Sequence, residues 1–206
     1  MARDAPGYLR NSSGGVTIWP LGERRGRRFG HAIAEGDGIS LVVEVDSAES
    51  ARAAEADGAR AVAVDGEIGV VRAATELPIL STGSSPEDAV RSGADAYVLS
   101  ADDLPRDAGE RLAAAVVLGV DCVVSVDDDE ELKRVLDEHD PEILLLDGDL
   151  ERALELLSDV PVGKLAIARA ESVTVAEIAE LERRGVDAVI VPARNAGVLA
   201  GDARPN

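Results

Sequence analysis

The chain has 206 residues, 46% of them apolar and only 2% aromatic, and carries a formal net charge of −19 at pH 7. That size and apolar share suit one well-buried aliphatic core. The acidity disfavours DNA, RNA and anionic membrane surfaces as partners, and the scarcity of rings argues against a stacking platform for single strands. No early apolar run is long enough for a signal peptide or a spanning helix, so a soluble cytoplasmic protein is expected. The one cysteine, Cys122, has no partner for an internal disulfide and lies in an apolar run, where a buried, inert thiol is expected.

Residues 1–38 differ in composition from the rest of the chain. They hold eight of the glycines and a basic cluster, Arg24, Arg25, Arg27 and Arg28. Six arginines against Asp4, Glu23, Glu35 and Asp37 give +2, so the remaining 168 residues carry −21. The cluster reads as part of an arm held against the acidic body of its own chain or a neighbour, with an anion or nucleic-acid patch as the alternative.

A regular pattern then begins. ISLVVEV (39–45), ARAVAV (59–64), LPILS (77–81), ADAYVLS (94–100), VDCVVSV (120–126), EILLLD (142–147), KLAIA (164–168) and VDAVIV (186–191) are short runs rich in Val, Ile, Leu and Ala. Such runs suit strands buried on both faces. Between them lie amphipathic stretches of helical spacing at 47–58, 67–75, 85–93, within 104–118, from 129, 150–158 and 174–184. Ser47 and Ser85 are placed to cap two of these helices, and at most a short helix is expected after the last strand. Glycine stops the preceding helix in DGARAVAV, SGADAYVL, LGVDCVVSV and RGVDAVIV. This internal echo predicts repeated strand–helix units, and eight of them predict an α/β fold: a compact single-domain (β/α)8 barrel over 39–206, preceded by an irregular arm over 1–38. No G-x-G-x-x-G follows the first strand, which argues against an open dinucleotide-binding sheet. Trp19 and Phe29 are expected to anchor the arm on an apolar end of the barrel.

The second half resembles the indole-3-glycerol-phosphate synthase family of phosphate-binding barrels. VVSVDDDEELKRVL resembles that family's fifth strand and helix, where Val-Glu-Val-His-Asp precedes Glu-Glu-Leu, and LLLDGDL resembles its Asn-Asn-Arg-Asp-Leu. SGADAYVL and RGVDAVIV resemble its Gly-Ala-Asp-Ala-Val segments, which recur in other phosphate-binding barrels. The resemblance implies a (β/α)8 fold with its site at the strand C-termini. The family's catalytic residues mostly do not carry over. Of Glu-Ile-Lys on strand 1, Glu44 remains, followed by Val45 and Asp46. The general-acid lysine falls on Thr82, the glutamate of strand 5 on Ser125 and the asparagine of strand 6 on Leu146. Ser-Glu-Ser-Gly of strand 7 falls on Ala168 to Glu171, and the Gly-Glu of the phosphate cradle on Pro192 and Ala193. Pro192 has no N–H to offer a phosphate, and the two lysines, Lys133 and Lys164, fall in a helix and at a strand start.

What the strand ends do carry is mainly acidic. Glu44, Asp46 and Arg169 are the candidate catalytic residues, with Arg169 either salt-bridged to Glu44 or Asp46 or holding an anion. Asp65, Ser81, Thr82, Asp102, Ser125, Asp127, Asp147 and Arg194 are candidate ligand contacts. Asp127 to Asp129 also suit a helix cap. His31 and His139 are expected at the surface, neither joins a ligand motif, and no metal or cofactor is expected. The functional expectation is a drifted barrel without synthase activity that binds a small molecule at its C-terminal face, with a homo-oligomer left open. The alternative is a lyase-like or other enzyme that uses the acidic rim, residual synthase activity included.

Overall fold

The computed structural model describes residues 27–202 apart from 37, 84, 102–103, 105–111, 113–114 and 116. Trp19, Arg24, Arg25, the candidate Asp102 and most of the helix expected within 104–118 lie outside the described residues.

Eight strands form a closed parallel barrel: β1 (Ser40–Glu44), β2 (Ala61–Val64), β3 (Ile79–Ser81), β4 (Ala96–Ser100), β5 (Asp121–Val126), β6 (Ile143–Leu146), β7 (Leu165–Arg169) and β8 (Ala188–Pro192). Each strand pairs with the next, and β8 returns to β1 with Val42 opposite Ile190 and Glu44 opposite Pro192. Closure leaves no exposed sheet edge. The helices are α1 (Arg28–Ala34), α2 (Ala48–Ala56), α3 (Ile68–Arg72), α4 (Pro86–Ser92), α5 (Asp129–Glu138), α6 (Leu150–Leu157), α7 (Val175–Arg184) and α8 (Ala193–Asp202). Residues 117–118, between β4 and β5, are also helical.

Five of the helices, α2 and α4 to α7, start where a side chain satisfies a free N–H group. Ser47 and Thr174 each close a capping box, with Ser50 and Glu177 respectively. Asp128 accepts from Glu131 N at 2.7 Å and Asp149 from Arg152 N at 2.9 Å. Gly185 ends α7 at φ 97°, a conformation that costs a side-chain-bearing residue energy. The segment after β8 departs from expectation: α8 is a ten-residue helix, and it packs against α2 and β1.

Two apolar layers result. Val43, Val62, Val124, Leu144 and Val189 face the helices, whereas Val42, Leu80, Val123, Leu145, Ile167 and Ile190 face the barrel interior. Four interior positions are alanine: Ala61, Ala63, Ala96 and Ala188. Side chains that small cannot fill an eight-stranded barrel, and the remaining space at its N-terminal end is taken by Phe29 and Ile33 of α1. Phe29 is fully buried.

Three aspartates secure the same end. Asp95, before β4, accepts from Ile79 N at 3.0 Å, Arg72 Nη1 at 2.9 Å and Arg28 Nη1 at 3.2 Å. Asp121, opening β5, accepts from Gly30 N at 2.9 Å. Asp187, before β8, accepts from Ala166 N at 2.8 Å. The Gly-x-Asp echo is thus a set of ties at the strand starts, and two of the three hold α1. At β4, β5 and β8 the strand begins one or two residues into its apolar run, and those first residues lead into the aspartate that makes the tie.

Candidate functional site

At the opposite end, the strands deliver side chains and loops to a shared mouth. β1 ends on Glu44 and is followed by Asp46, which accepts from Ser50 Oγ at 3.3 Å. Asp65 follows β2 and is exposed. Thr82 follows β3, with its N–H and its hydroxyl both donating to Val64 O, at 3.0 and 3.3 Å. Gly83 leaves room for Asp65, because a Cβ there would lie 2.6 Å from Asp65 Oδ1. Ser125 on β5 donates to Asp147 Oδ2 at 3.2 Å, and Gly148 N donates to Asp147 Oδ1 at 3.2 Å.

Arg169, the last residue of β7, reaches across this ring. Its Nη1 lies 3.7 Å from Glu44 Oε1 and its Nε 3.7 Å from Asp147 Oδ1. Both are ion-pair distances beyond hydrogen-bond length, and Nε is buried with no hydrogen-bond partner. Arg194 turns aside, its Nη2 donating to Glu171 O at 3.1 Å, where Asn195 Nδ2 also donates at 3.0 Å.

Two adjoining cavities make up the mouth. One, of about 450 Å³, is walled by Glu44, Asp46, Asp65, Thr82, Arg169, Pro192 and Arg194; the other, of about 760 Å³, by Asp65, Thr82, Ser85, Ser100, Ser125, Asp147 and Arg169. Asp65, Thr82 and Arg169 line both. Eight of the sequence-derived candidates therefore come together. Ser81 does not: strand alternation turns it away from the interior between Leu80 and Thr82, and it is 1% exposed. Asp127 stands outside the cavities, its N–H donating to Glu131 Oε2 at 3.1 Å at the start of α5. Ser85 and Gly83 add to the wall; their position directly after β3 is the sequence signal that marks them.

Neither lysine reaches the mouth. Lys133 is exposed on α5, and Lys164, preceding β7, pairs with Asp140 at the far end. His31 is exposed, but His139 is not: its side chain is 8% exposed and lines a separate cavity of about 460 Å³ near the N-terminal end, with Cys122 and Asp121. Burial there pushes the Cys122 thiol up to about 11, so it is protonated at neutral pH. No group of three or more His, Cys, Asp or Glu is arranged to hold a metal ion among the described residues. Nor is any helix among them long and apolar enough to cross a membrane.

The closed ring of eight parallel strands, with helical residues between each strand and the next, defines a (β/α)8 barrel with the candidate residues at its strand C-termini. A solved structure similar to it is the N-acetylmannosamine-6-phosphate 2-epimerase from Clostridium perfringens, with a TM-score of 0.63 at 15% identity over 76% of this chain and 87% of that one. In all, 803 solved chains match, a number that ties this scaffold to no single chemistry. No protein-family model matches the chain, and no curated protein is similar to it in sequence. These findings support the barrel and not the synthase family in particular.

Proposed function

We propose that the chain is a ligand-binding barrel whose C-terminal mouth takes a small molecule bearing a cationic group, and that it does not perform the indole-3-glycerol-phosphate synthase reaction. One observation carries this reading: Glu44, Asp46, Asp65 and Asp147 surround the mouth, and among the described residues only Arg169 and Arg194 stand against these four carboxylates on its walls. The formal balance of −2 attracts a cation and repels a phosphate, most strongly where the walls exclude water. The cradle position is also poor for phosphate, since Pro192 offers no N–H there. The Clostridium perfringens neighbour is an epimerase of N-acetylmannosamine 6-phosphate; its phosphosugar is not carried over to this mouth for the same reasons.

Indole ring closure in the family that the sequence resembles needs a positioned proton donor. Thr82 occupies that position with its hydroxyl turned to Val64 O, and Arg169 stays protonated and cannot serve as the acid. A thermal-shift screen of the full chain against diamines, divalent cations and phosphosugars tests the reading. A probe at 100 times its Kd stabilises by about 2.7 kcal/mol, worth about 5–11 °C for a chain of this size. Diamines are expected to give a shift that Asp65→Asn reduces. A shift with phosphosugars and none with amines would overturn the proposal.

A further inference from the structure

Arg169 holds the mouth's least-used donors. A guanidinium presents five N–H groups in a planar fork. Here Nε is buried without a hydrogen-bond partner, and the two nearest carboxylates stand at 3.7 Å. Asp147 is already engaged by Ser125 Oγ and Gly148 N, which hold it away from a closer approach. Leaving a buried N–H unmade is costly, and a planar carboxylate satisfies an arginine fork through two parallel hydrogen bonds. The side chain is 34% exposed with Nε itself enclosed, so it is the exposed part of the side chain that a ligand in the mouth would meet. On the same walls Asp65 is exposed, and Asp65, Thr82 and Arg169 are common to both cavities. A cavity of about 450 Å³ falls within the range for small-molecule sites.

We propose that the ligand carries a carboxylate as well as a cationic group: an amino-acid-type zwitterion, its carboxylate on the Arg169 fork and its ammonium against Asp65 and Asp46. The proposal rests on the cation-binding reading above and adds the anionic half. A monocarboxylate fits where a phosphate does not, because its single charge is balanced within the ligand while the surrounding acids hold the ammonium.

Isothermal titration of the full chain with matched pairs tests it: L-lysine against cadaverine, and L-arginine against agmatine, each amine lacking only the carboxylate. The amino acids are expected to bind at least tenfold more tightly than their amines. Arg169→Gln should abolish that advantage while amine binding tightens, because the mouth loses one of its two positive charges, and Arg169→Lys should restore part of the advantage. Amines binding as tightly as the amino acids would overturn this inference and leave the cation reading standing. An advantage that survives in Arg169→Gln would overturn it too, since the carboxylate would then lie elsewhere. Absence of binding by either class would overturn both.

Discussion

Replacing Phe29 by alanine tests whether α1 belongs to the core. Phe29 is fully buried and packs among Val42, Leu80, Ile143 and the interior alanines. Removing the ring loses its transfer free energy and also leaves a void, and buried Phe→Ala changes cost about 3–5 kcal/mol. The alanines at 61, 63, 96 and 188 are backbone-anchored and cannot move in to fill the void, so the upper half of that range applies. At about 2–4 °C per kcal/mol for a chain of this size, a loss of about 4 kcal/mol lowers Tm by about 8–16 °C. Urea unfolding followed by circular dichroism measures it, with Val162→Ala, a fully exposed site, as the control. A Phe29→Ala loss below about 1 kcal/mol at an unchanged m-value would refute the reasoning, because α1 would then contribute nothing to the folded barrel.

Asp95→Ala removes the shared acceptor of Arg72, Arg28 and Ile79 N at a buried site and should cost about 3–5 kcal/mol in urea midpoint analysis, whereas Asp95→Asn keeps one acceptor and should cost less. Burial pushes the carboxyls of Asp121 and Asp187 above the ordinary value of 3.8, with backbone N–H groups pulling partly back. Each therefore binds its proton more tightly folded than unfolded, so its contribution favours the fold in acid and is lost as pH rises from 3.8 through the raised value. Asp187→Asn, whose amide oxygen still accepts from Ala166 N, should flatten that fall in urea stability measured across roughly pH 4 to 7; a steeper fall in the variant would contradict the assignment. In a fluorescence assay for indole-3-glycerol phosphate, purified protein should show no turnover above background, and turnover that Glu44→Gln abolishes would reveal a substitute acid.

Eight strands are legible in the sequence because each is a short, unbroken aliphatic run bounded by a helix stop, as in GVDCVVSV. The same feature hides the parity of the strands. A run apolar on both faces does not say which residues look inward, and so Ser81 reads like its neighbour Thr82 although they point oppositely. Glu44, Asp65, Asp147 and Arg169 are found because polar residues at the ends of apolar runs stand out. The plug is harder to see: RFGHAIA has no long apolar stripe, and its fit depends on the smallness of four alanines scattered over three strands. His139 is misplaced for a related reason, since a helix-end histidine reads as exposed until the neighbouring turn at Asp140 and Pro141 closes beside it.

SGADAYVL and RGVDAVIV, two of the segments that resemble synthase sequence, contain Asp95 and Asp187, which stitch the closed end and contribute nothing to the mouth. Likeness in such segments therefore falls on residues that fasten this chain's strands and is no sign of a shared reaction. The separation also makes the chain a host for grafting: residues at the open rim can be exchanged while the ties at the starts of β4, β5 and β8 stay untouched. A lysine installed at Thr82, for example, would lose the hydroxyl's bond to Val64 O and keep the backbone bond beside it.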